Sequence, residues 1–208
     1  ITGEVNFYGM ELKCDQRALI PRPETEILVD ECIRSSTWNN PNISVADVGT
    51  GSGCIAISLA CAKSAASIDA IDISNDALAL AKENAQRYNL KNINFYKKDL
   101  LKKTNTDTYD IIISNPPYIS TENWKSLSAS VNNFEPRLAL DAGLDGTECI
   151  ELIIKDAYQV LKKNGIIFLE IGHDQKEKTE NSLNQYGFKE INFKKDYNQL
   201  DRIVSAKK

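Results

Sequence analysis

With 208 residues, the chain is long enough for one domain of ordinary size, and its 42% hydrophobic and 26% charged residues are typical of a globular protein. No apolar run reaches the roughly 20 residues that cross a bilayer, and no basic segment followed by an apolar stretch opens the chain, so we expect neither a membrane span nor a signal peptide. The net charge of −4 disfavours a domain that holds nucleic acid through its phosphates, and we expect no direct nucleic-acid binding.

The first predicted elements are two short strands, or a hairpin, within residues 4–13, followed by a helix over residues 24–33. Turn-forming residues at 35–42 mark a boundary after this helix. We therefore predict a hairpin with its connecting helix over residues 1–34 and the main domain over residues 35–208.

The main domain alternates between strands and helices. Apolar patterns predict strands at 43–48, 67–73, 92–97, 109–114 and 165–171, and helices at 54–63, 75–88, 147–162 and 174–186. A loop to which no helix or strand is assigned covers 115–146, and two last strands, at 188–194 and 201–206, are predicted to be antiparallel to one another. The alternation indicates an α/β fold with a doubly wound sheet of parallel strands.

A glycine-rich turn, Gly49-Thr50-Gly51-Ser52-Gly53, separates the first strand of this domain from the next helix, and Asp72 ends the second strand. Glycines allow a close approach of the backbone to a ligand, and an acidic residue at that second strand end accepts the ribose hydroxyls of a nucleoside. The alternative is that Asp72 only caps the following helix. The order of these features favours a nucleoside site.

The spacing of these glycines differs from the G-x-G-x-x-G of pyrophosphate-binding loops. Asp47, which precedes the turn, is predicted to lie near the ligand, and its acidic group suits a cationic ligand better than a pyrophosphate. S-Adenosylmethionine carries both an ammonium and a sulfonium group. The stretch also resembles the E/D-x-G-x-G-x-G motif of Rossmann-like methyltransferases, so the sequence predicts S-adenosylmethionine as the cofactor.

The fourth strand of the main domain is followed by Asn115-Pro116-Pro117-Tyr118, at a strand end where ligands bind in such sheets. Both prolines fix the loop and lack N–H donors. Asn115 Oδ1 and the Pro116 carbonyl can accept both hydrogens of one NH2 group, and Tyr118 can lie against a planar group. Two acceptors orient an amide or amino nitrogen and favour charge on it during methyl transfer, without a strong base. The alternative is a proline-rich turn that merely ends a strand.

The five cysteines are odd in number and form no C-x-x-C pair. We therefore expect no zinc or other metal site, no disulfide framework and a reducing, cytoplasmic location. The first residue is Ile1 rather than Met, so we expect the chain to be a piece of a longer protein.

Several longer motifs resemble those of the HemK-type release-factor glutamine methyltransferases. They are LIPRPETE at 19–26, the cofactor loop at 47–53, FEPRLALD at 134–141, LEIG at 169–172 and Asp201-Arg202. The resemblance covers essentially the whole chain. It implies a Rossmann-like, seven-stranded methyltransferase sheet with an N-terminal β-hairpin. The family's small helical domain precedes that hairpin, and we expect it to be absent from this chain.

The resemblance also implies the reaction. A methyl group would pass from S-adenosylmethionine, which becomes S-adenosylhomocysteine, to the glutamine amide nitrogen in the Gly-Gly-Gln motif of class 1 peptide-chain release factors. Asn115 and Pro116 would be catalytic and, with Pro117 and Tyr118, would bind the substrate. The cofactor would contact Asn115 and the residues of its own site, which are Gly49, Thr50, Gly51, Ser52, Gly53, Asp72, Asp99 and Leu100.

Two of these assignments compete with simpler interpretations. Asp99 could accept from the adenine amino group or be a surface aspartate, and Leu100 stands where relatives often carry an aromatic residue. An N6-adenine methyltransferase, with its base flipped into the same pocket, is the alternative enzyme. The acidic balance and the absence of a target-recognition domain disfavour it. A binding module without activity is the alternative outside enzymes.

Overall fold

The computed structural model describes residues 3–102, 104–126 and 135–208. Its strands are β1 (Glu4–Phe7), β2 (Met10–Lys13), β3 (Ser44–Val48), β4 (Ser67–Asp72), β5 (Ile93–Lys97), β6 (Tyr109–Ser114), β7 (Leu161–Glu170), β8 (Lys189–Lys195) and β9 (Asp201–Lys207). Its α-helices are α1 (Pro23–Arg34), α2 (Cys54–Ala62), α3 (Asn75–Arg87), α4 (Thr121–Ser126), α5 (Glu148–Val160) and α6 (Lys176–Tyr186).

β1 and β2 form the hairpin, and the other strands form a seven-stranded sheet in the order β5-β4-β3-β6-β7-β9-β8. The five strands from β5 to β7 in this order are parallel to one another, whereas β9 is antiparallel to both β7 and β8. The predicted α/β fold, its hairpin and its antiparallel final pair are confirmed. Of the helices in the described ranges, none has both the length and the apolar character needed to cross a bilayer.

The apolar pattern explains the central strands. Ile111, Ile112 and Ile113 of β6 are all fully buried, which is typical of a parallel strand covered by helices on both faces. Helix α1 begins with Pro23 and carries two acidic residues in its first turn, which suits the positive end of the helix dipole. It packs against α2 and the sheet, and Leu28 joins the hydrophobic core there.

One predicted boundary is wrong, and the loop over 115–146 contains α4 and a 3₁₀ helix, Arg137–Ala139. Strand β7 begins at Leu161, inside the predicted helix 147–162, because Leu161 pairs with Tyr109 before the register of the two strands shifts. The polar residues that follow Leu161 have the composition of a turn, which hid this extension of the strand.

The chain reverses its direction across the sheet between β3 and β6. From β3 it continues outward to β4 and β5, and then returns to place β6 against the other edge of β3. The buried Ser114 hydroxyl donates to the Val48 carbonyl at 2.6 Å and holds the two strand ends together. At such a point the following loops diverge and leave a crevice at the carboxyl ends of the strands.

Candidate functional site

A cavity of about 380 Å³ opens at this crevice. All of the predicted site residues line it except Gly53 and Tyr118. Those in its wall are Gly49, Thr50, Gly51, Ser52, Asp72, Asp99, Leu100, Asn115, Pro116 and Pro117. Across the described part of the chain, no three His, Cys, Asp or Glu side chains are grouped as metal ligands would be. One cavity therefore joins the glycine turn to the loop that follows β6.

Asp47 lies beneath the glycine turn and is not part of the cavity wall. Its side chain is fully buried, and Oδ2 accepts hydrogen bonds from Thr50 Oγ1 at 2.6 Å and from the Ala56 N–H at 3.1 Å. Burial raises the pKa of Asp47 to about 7. The turn folds over the carboxylate, so Asp47 supports the turn from beneath, and its place beside a ligand stays a prediction.

Asp72 connects the end of β4 to the glycine turn. Its Oδ2 accepts from the Gly51 N–H at 2.9 Å, and its Oδ1 accepts from the Ser74 N–H at 2.8 Å. Helix α3 is capped by Ser74, whose Oγ accepts from the Ala77 N–H at 3.2 Å. Asp72 is therefore not needed as the helix cap. Each of its carboxylate oxygens keeps a lone pair for a ligand in the cavity.

Apolar side chains form part of the cavity wall. Leu100 is partly buried, and Ile73 and Leu152 also line the cavity while remaining 47% and 48% exposed. Large apolar side chains left open in a cavity indicate a surface that a ligand covers. Sequence reasoning missed Ile73 and Leu152. A signal existed for Ile73, an apolar residue directly after the acidic strand end.

Asp99 lies at the rim of this apolar region. It is exposed, and its carboxylate forms an ion pair with Lys102. Leu100 has a φ of +56°, in the left-handed region that disfavours a leucine, so the chain holds a strained turn here. Both of the interpretations given above for Asp99 are compatible with this placement, since the residue is at once a cavity residue and a surface residue.

The segment between β2 and α1 and the first turn of α1 supply another part of the wall, including Arg22 and Thr25. Arg22 forms an ion pair with Glu135. Asn115 Nδ2 donates to Thr25 Oγ1 at 3.0 Å, so the residue predicted to be catalytic is held by α1. Sequence reasoning missed this role of Thr25. The residue lies in the segment 19–26, but no local pattern there indicates a contact with an amide 90 residues away.

Tyr118 does not line the cavity, although its partner residues in the loop do. Its ring packs 6.0 Å from the guanidinium of Arg202, and its carbonyl accepts from Gln175 Nε2 at 2.9 Å. Burial raises the pKa of Tyr118 to about 12. The ring therefore anchors the loop to β9, and the contact of Tyr118 with a planar substrate group stays a prediction.

Gly53, the other predicted site residue outside the cavity wall, is the N-cap of α2. A Cβ atom there would lie 3.0 Å from the Ala81 Cβ, so this glycine allows α2 to approach α3 closely. Its contribution to the site is therefore the position of the turn.

The comparisons with known proteins agree with this architecture. Residues 25–133 match the family model of the methyltransferase small domain. The chain is 39% identical to the release factor glutamine methyltransferase of Enterococcus faecalis, over 99% of this chain and 74% of that protein. The chain belongs to the release factor glutamine methyltransferase family. A solved ribosomal protein L11 methylase from Lactobacillus delbrueckii shares the fold, with a TM-score of 0.67 and 24% identity over 90% of this chain and 80% of that one.

The chain spans only part of the length of the relatives that it matches. The chain is 40% identical to the release factor glutamine methyltransferase of Fusobacterium nucleatum over its full length, but spans only 59% of that protein. These relatives do not favour the alternative of an N6-adenine methyltransferase. They also agree with the family expected from the motifs at 19–26 and 134–141, of which Phe134 lies outside the described residues.

Proposed function

We propose that the chain transfers a methyl group from S-adenosylmethionine to the side-chain amide nitrogen of the glutamine in the Gly-Gly-Gln motif of class 1 peptide-chain release factors. The observation that carries this proposal is the shared cavity. Asp72 and the glycine turn line one part of it, and Asn115 and Pro116 line another. A cofactor and an amide substrate can therefore bind next to each other in one cavity. The names of the relatives support a release factor as the partner.

The residues of the cavity fit S-adenosylmethionine. Asp72 would accept the ribose hydroxyls, the glycine turn would let the backbone approach the ligand, and Ile73, Leu100 and Leu152 would enclose the adenine. A volume of about 380 Å³ is within the ~300–1,000 Å³ of small-molecule cavities. The sulfonium of the bound cofactor supplies an activated methyl group.

The loop after β6 would supply the orientation. A glutamine amide nitrogen is a weak nucleophile because its lone pair is delocalised into the carbonyl. Asn115 Oδ1 and the Pro116 carbonyl would accept its two hydrogens and stabilise the positive charge that develops as the N–C bond forms. The S–C bond of the cofactor would break as the N–C bond forms, and one proton of the methylated amide nitrogen, which is then strongly acidic, would pass to solvent water. Pro116 is buried and fixed in φ, so its carbonyl is held in place.

We propose the cytoplasm, where translation ends, as the place of action. All five cysteines are free thiols, as in a reducing compartment. Three of them, Cys14, Cys32 and Cys54, are buried, and burial raises the pKa of each. These are the properties of packing residues and not of reactive or paired thiols.

Label transfer tests the proposed function directly. The purified chain is incubated with S-adenosylmethionine that carries a radioactive methyl group and with a class 1 release factor. We expect label on the factor with Gly-Gly-Gln and none on a matched factor with Gly-Gly-Ala, because only glutamine presents the amide NH2. Equal labelling of the two factors would contradict the glutamine assignment. Label on a DNA duplex offered instead would point to the adenine alternative.

Substitution of Asp72 tests the cofactor site. We expect Asp72→Ala to raise the Kd for S-adenosylmethionine by roughly 5- to 150-fold, because two hydrogen bonds to ribose hydroxyls contribute roughly 0.5–1.5 kcal/mol each. Isothermal titration calorimetry measures this change. Asp76→Ala is the matched control, since Asp76 is an exposed aspartate in the first turn of α3 outside the cavity wall. An Asp72→Ala chain with the affinity of the control would remove Asp72 from the site.

A further inference from the structure

A buried chain of hydrogen bonds ends at Asn115. Asn115 Nδ2 donates to Thr25 Oγ1 at 3.0 Å, and Thr25 Oγ1 donates to Glu170 Oε2 at 2.7 Å. Both Thr25 and Glu170 are 1% exposed. Thr25 lies in the first turn of α1 and Glu170 is the last residue of β7. The loop that holds Asn115 is thus joined to a helix and to a neighbouring strand.

The number of protons that Thr25 and Glu170 can donate decides how the Asn115 amide is oriented. A threonine hydroxyl has one proton, and a carboxylate has none to give. Because the Thr25 proton goes to Glu170, Thr25 Oγ1 offers only lone pairs to Asn115. Only the NH2 end of the amide can face such an acceptor, so Asn115 Oδ1 is directed away from Thr25.

We infer that Thr25 and Glu170 are positioning residues that hold the Asn115 amide with its oxygen available to the substrate nitrogen. This inference rests on the proposed function, in which Asn115 Oδ1 accepts a hydrogen of the glutamine NH2. The two ends of an asparagine amide are almost equal in size, and a flipped amide would oppose the substrate donors with two more donors. The hydrogen bonds from Asn115 to Thr25 and from Thr25 to Glu170 exclude that orientation.

Several charged or titratable groups face Glu170 from the elements packed around it. They are Arg202 of β9, Glu24 of α1, Tyr118 of the loop after β6 and Cys54 of α2. Burial raises the pKa of Glu170 to about 7, opposed by the hydrogen bond from Thr25 and by the charge of Arg202. The pKa of Tyr118 and that of Cys54 are each raised to about 12, so both stay neutral near pH 7.

Protonation of Glu170 removes the fixed direction of the hydrogen bonds that join Asn115, Thr25 and Glu170. A neutral carboxyl can donate to Thr25 Oγ1, and the Thr25 proton is then free to turn towards Asn115, where it requires the amide oxygen. The productive orientation therefore belongs to the ionised form of Glu170. Because the carboxyl takes up its proton as the pH falls through about 7, we expect turnover to fall in the same range.

Substitution of Thr25 tests the positioning role. We expect Thr25→Val to lower kcat by roughly tenfold or more, because a misplaced catalytic group loses its orientation, while the Kd for S-adenosylmethionine stays within about twofold. Thr25→Ser keeps the hydroxyl and should restore kcat to within about threefold. Thr179→Val is the matched control, since Thr179 is buried and its hydroxyl has no partner among the described residues. A Thr25→Val chain with the kcat of the control would overturn the inference.

A measurement that does not depend on turnover separates this inference from the proposed function. Asn115→Ala assigns the side-chain NH2 signals of Asn115 in ¹⁵N nuclear magnetic resonance spectra. We expect these protons to exchange with water at least about tenfold more slowly in the wild type than in Thr25→Val, because the hydrogen bond to the buried Thr25 protects them. Equal exchange would overturn the inference. If the wild type transfers no methyl, the proposed function fails, and the exchange rates still decide the orientation of Asn115.

The pH profile tests the part of Glu170. With a pKa of about 7, ionisation alone predicts a fall of about tenfold in kcat between pH 8 and pH 6 in the wild type. Glu170→Gln places an amide oxygen that accepts the Thr25 proton at either pH, so its profile should be flat. Asp47 also has a pKa raised to about 7. The fall in kcat is therefore assigned to Glu170 by comparing the pH profile of the wild type with that of Glu170→Gln. A Glu170→Gln chain that keeps the wild-type fall would overturn the role of Glu170.

Discussion

Asn115→Ala should lower kcat by at least about 100-fold, because the loss of one acceptor aligned with developing charge typically costs 10²–10³ in turnover. The Kd for S-adenosylmethionine should change by less than about threefold. Steady-state kinetics with a release factor and calorimetry with the cofactor alone give the two numbers. The difference between the change in kcat and the change in Kd is the informative result, since an acceptor for the substrate amide affects turnover and not the binding of the cofactor.

The backbone around Asn115 explains why alanine should leave the loop in place. Ser114 is tied to the Val48 carbonyl at 2.6 Å, and Pro116 is buried and fixed in φ. The Asn115 side chain bonds to Thr25, and removal of this bond leaves Thr25 Oγ1 still donating to Glu170. The substitution should therefore remove a functional group without removing the support of the loop.

Asn92→Ala is the matched control for a lost asparagine. Its Nδ2 donates to the Lys63 and Ala66 carbonyls, both at 3.2 Å, and it lies outside the cavity wall. We expect lower stability in this variant and a kcat within about twofold of the wild type. A similar loss of kcat in both variants would indicate damage to the fold. Wild-type turnover in Asn115→Ala would refute the acceptor role.

Much of the fold could be predicted because its signals are local. The run Ile111–Ile113 is apolar enough to define a central strand by itself, and turn residues separate each strand from its helix. The place of β9 between β7 and β8 could not be predicted. That place depends on the burial of Ile203 and Val204 of β9 beside β7, which is a matter of tertiary packing. Strand β8 carries a lysine-rich pattern that suits an exposed edge.

The candidate site was predictable to the extent that its residues follow strand ends in the chain. The turn 49–53 and the loop 115–118 are both such segments, and parallel strands bring their ends to one edge. Which way a side chain points from such an end was not predictable for Tyr118. The bond between Thr25 and Glu170 joins residues 145 positions apart, so it depends on the packing of α1 beside β7.

Gly53→Ala should lower the free energy of unfolding by roughly 2–5 kcal/mol, from two sources that add. Gly53 has a φ of +84°, where a side chain costs about 1–2 kcal/mol. Its new Cβ would also lie 3.0 Å from the Ala81 Cβ and 3.2 Å from the Ala81 Cα. The backbone of α3 cannot yield cheaply, and overpacking of this kind costs about 1–3 kcal/mol. Urea denaturation measures the sum.

Gly9→Ala separates these two sources. Gly9 lies in the turn of the hairpin with a φ of +74°, and a Cβ there would have no neighbour within 4 Å. This control should therefore show only the backbone cost, about 1–2 kcal/mol. The difference between the two variants measures how closely α2 and α3 pack at the glycine turn. Equal losses would mean that α3 moves away from Gly53 freely, and the turn would then not depend on that contact.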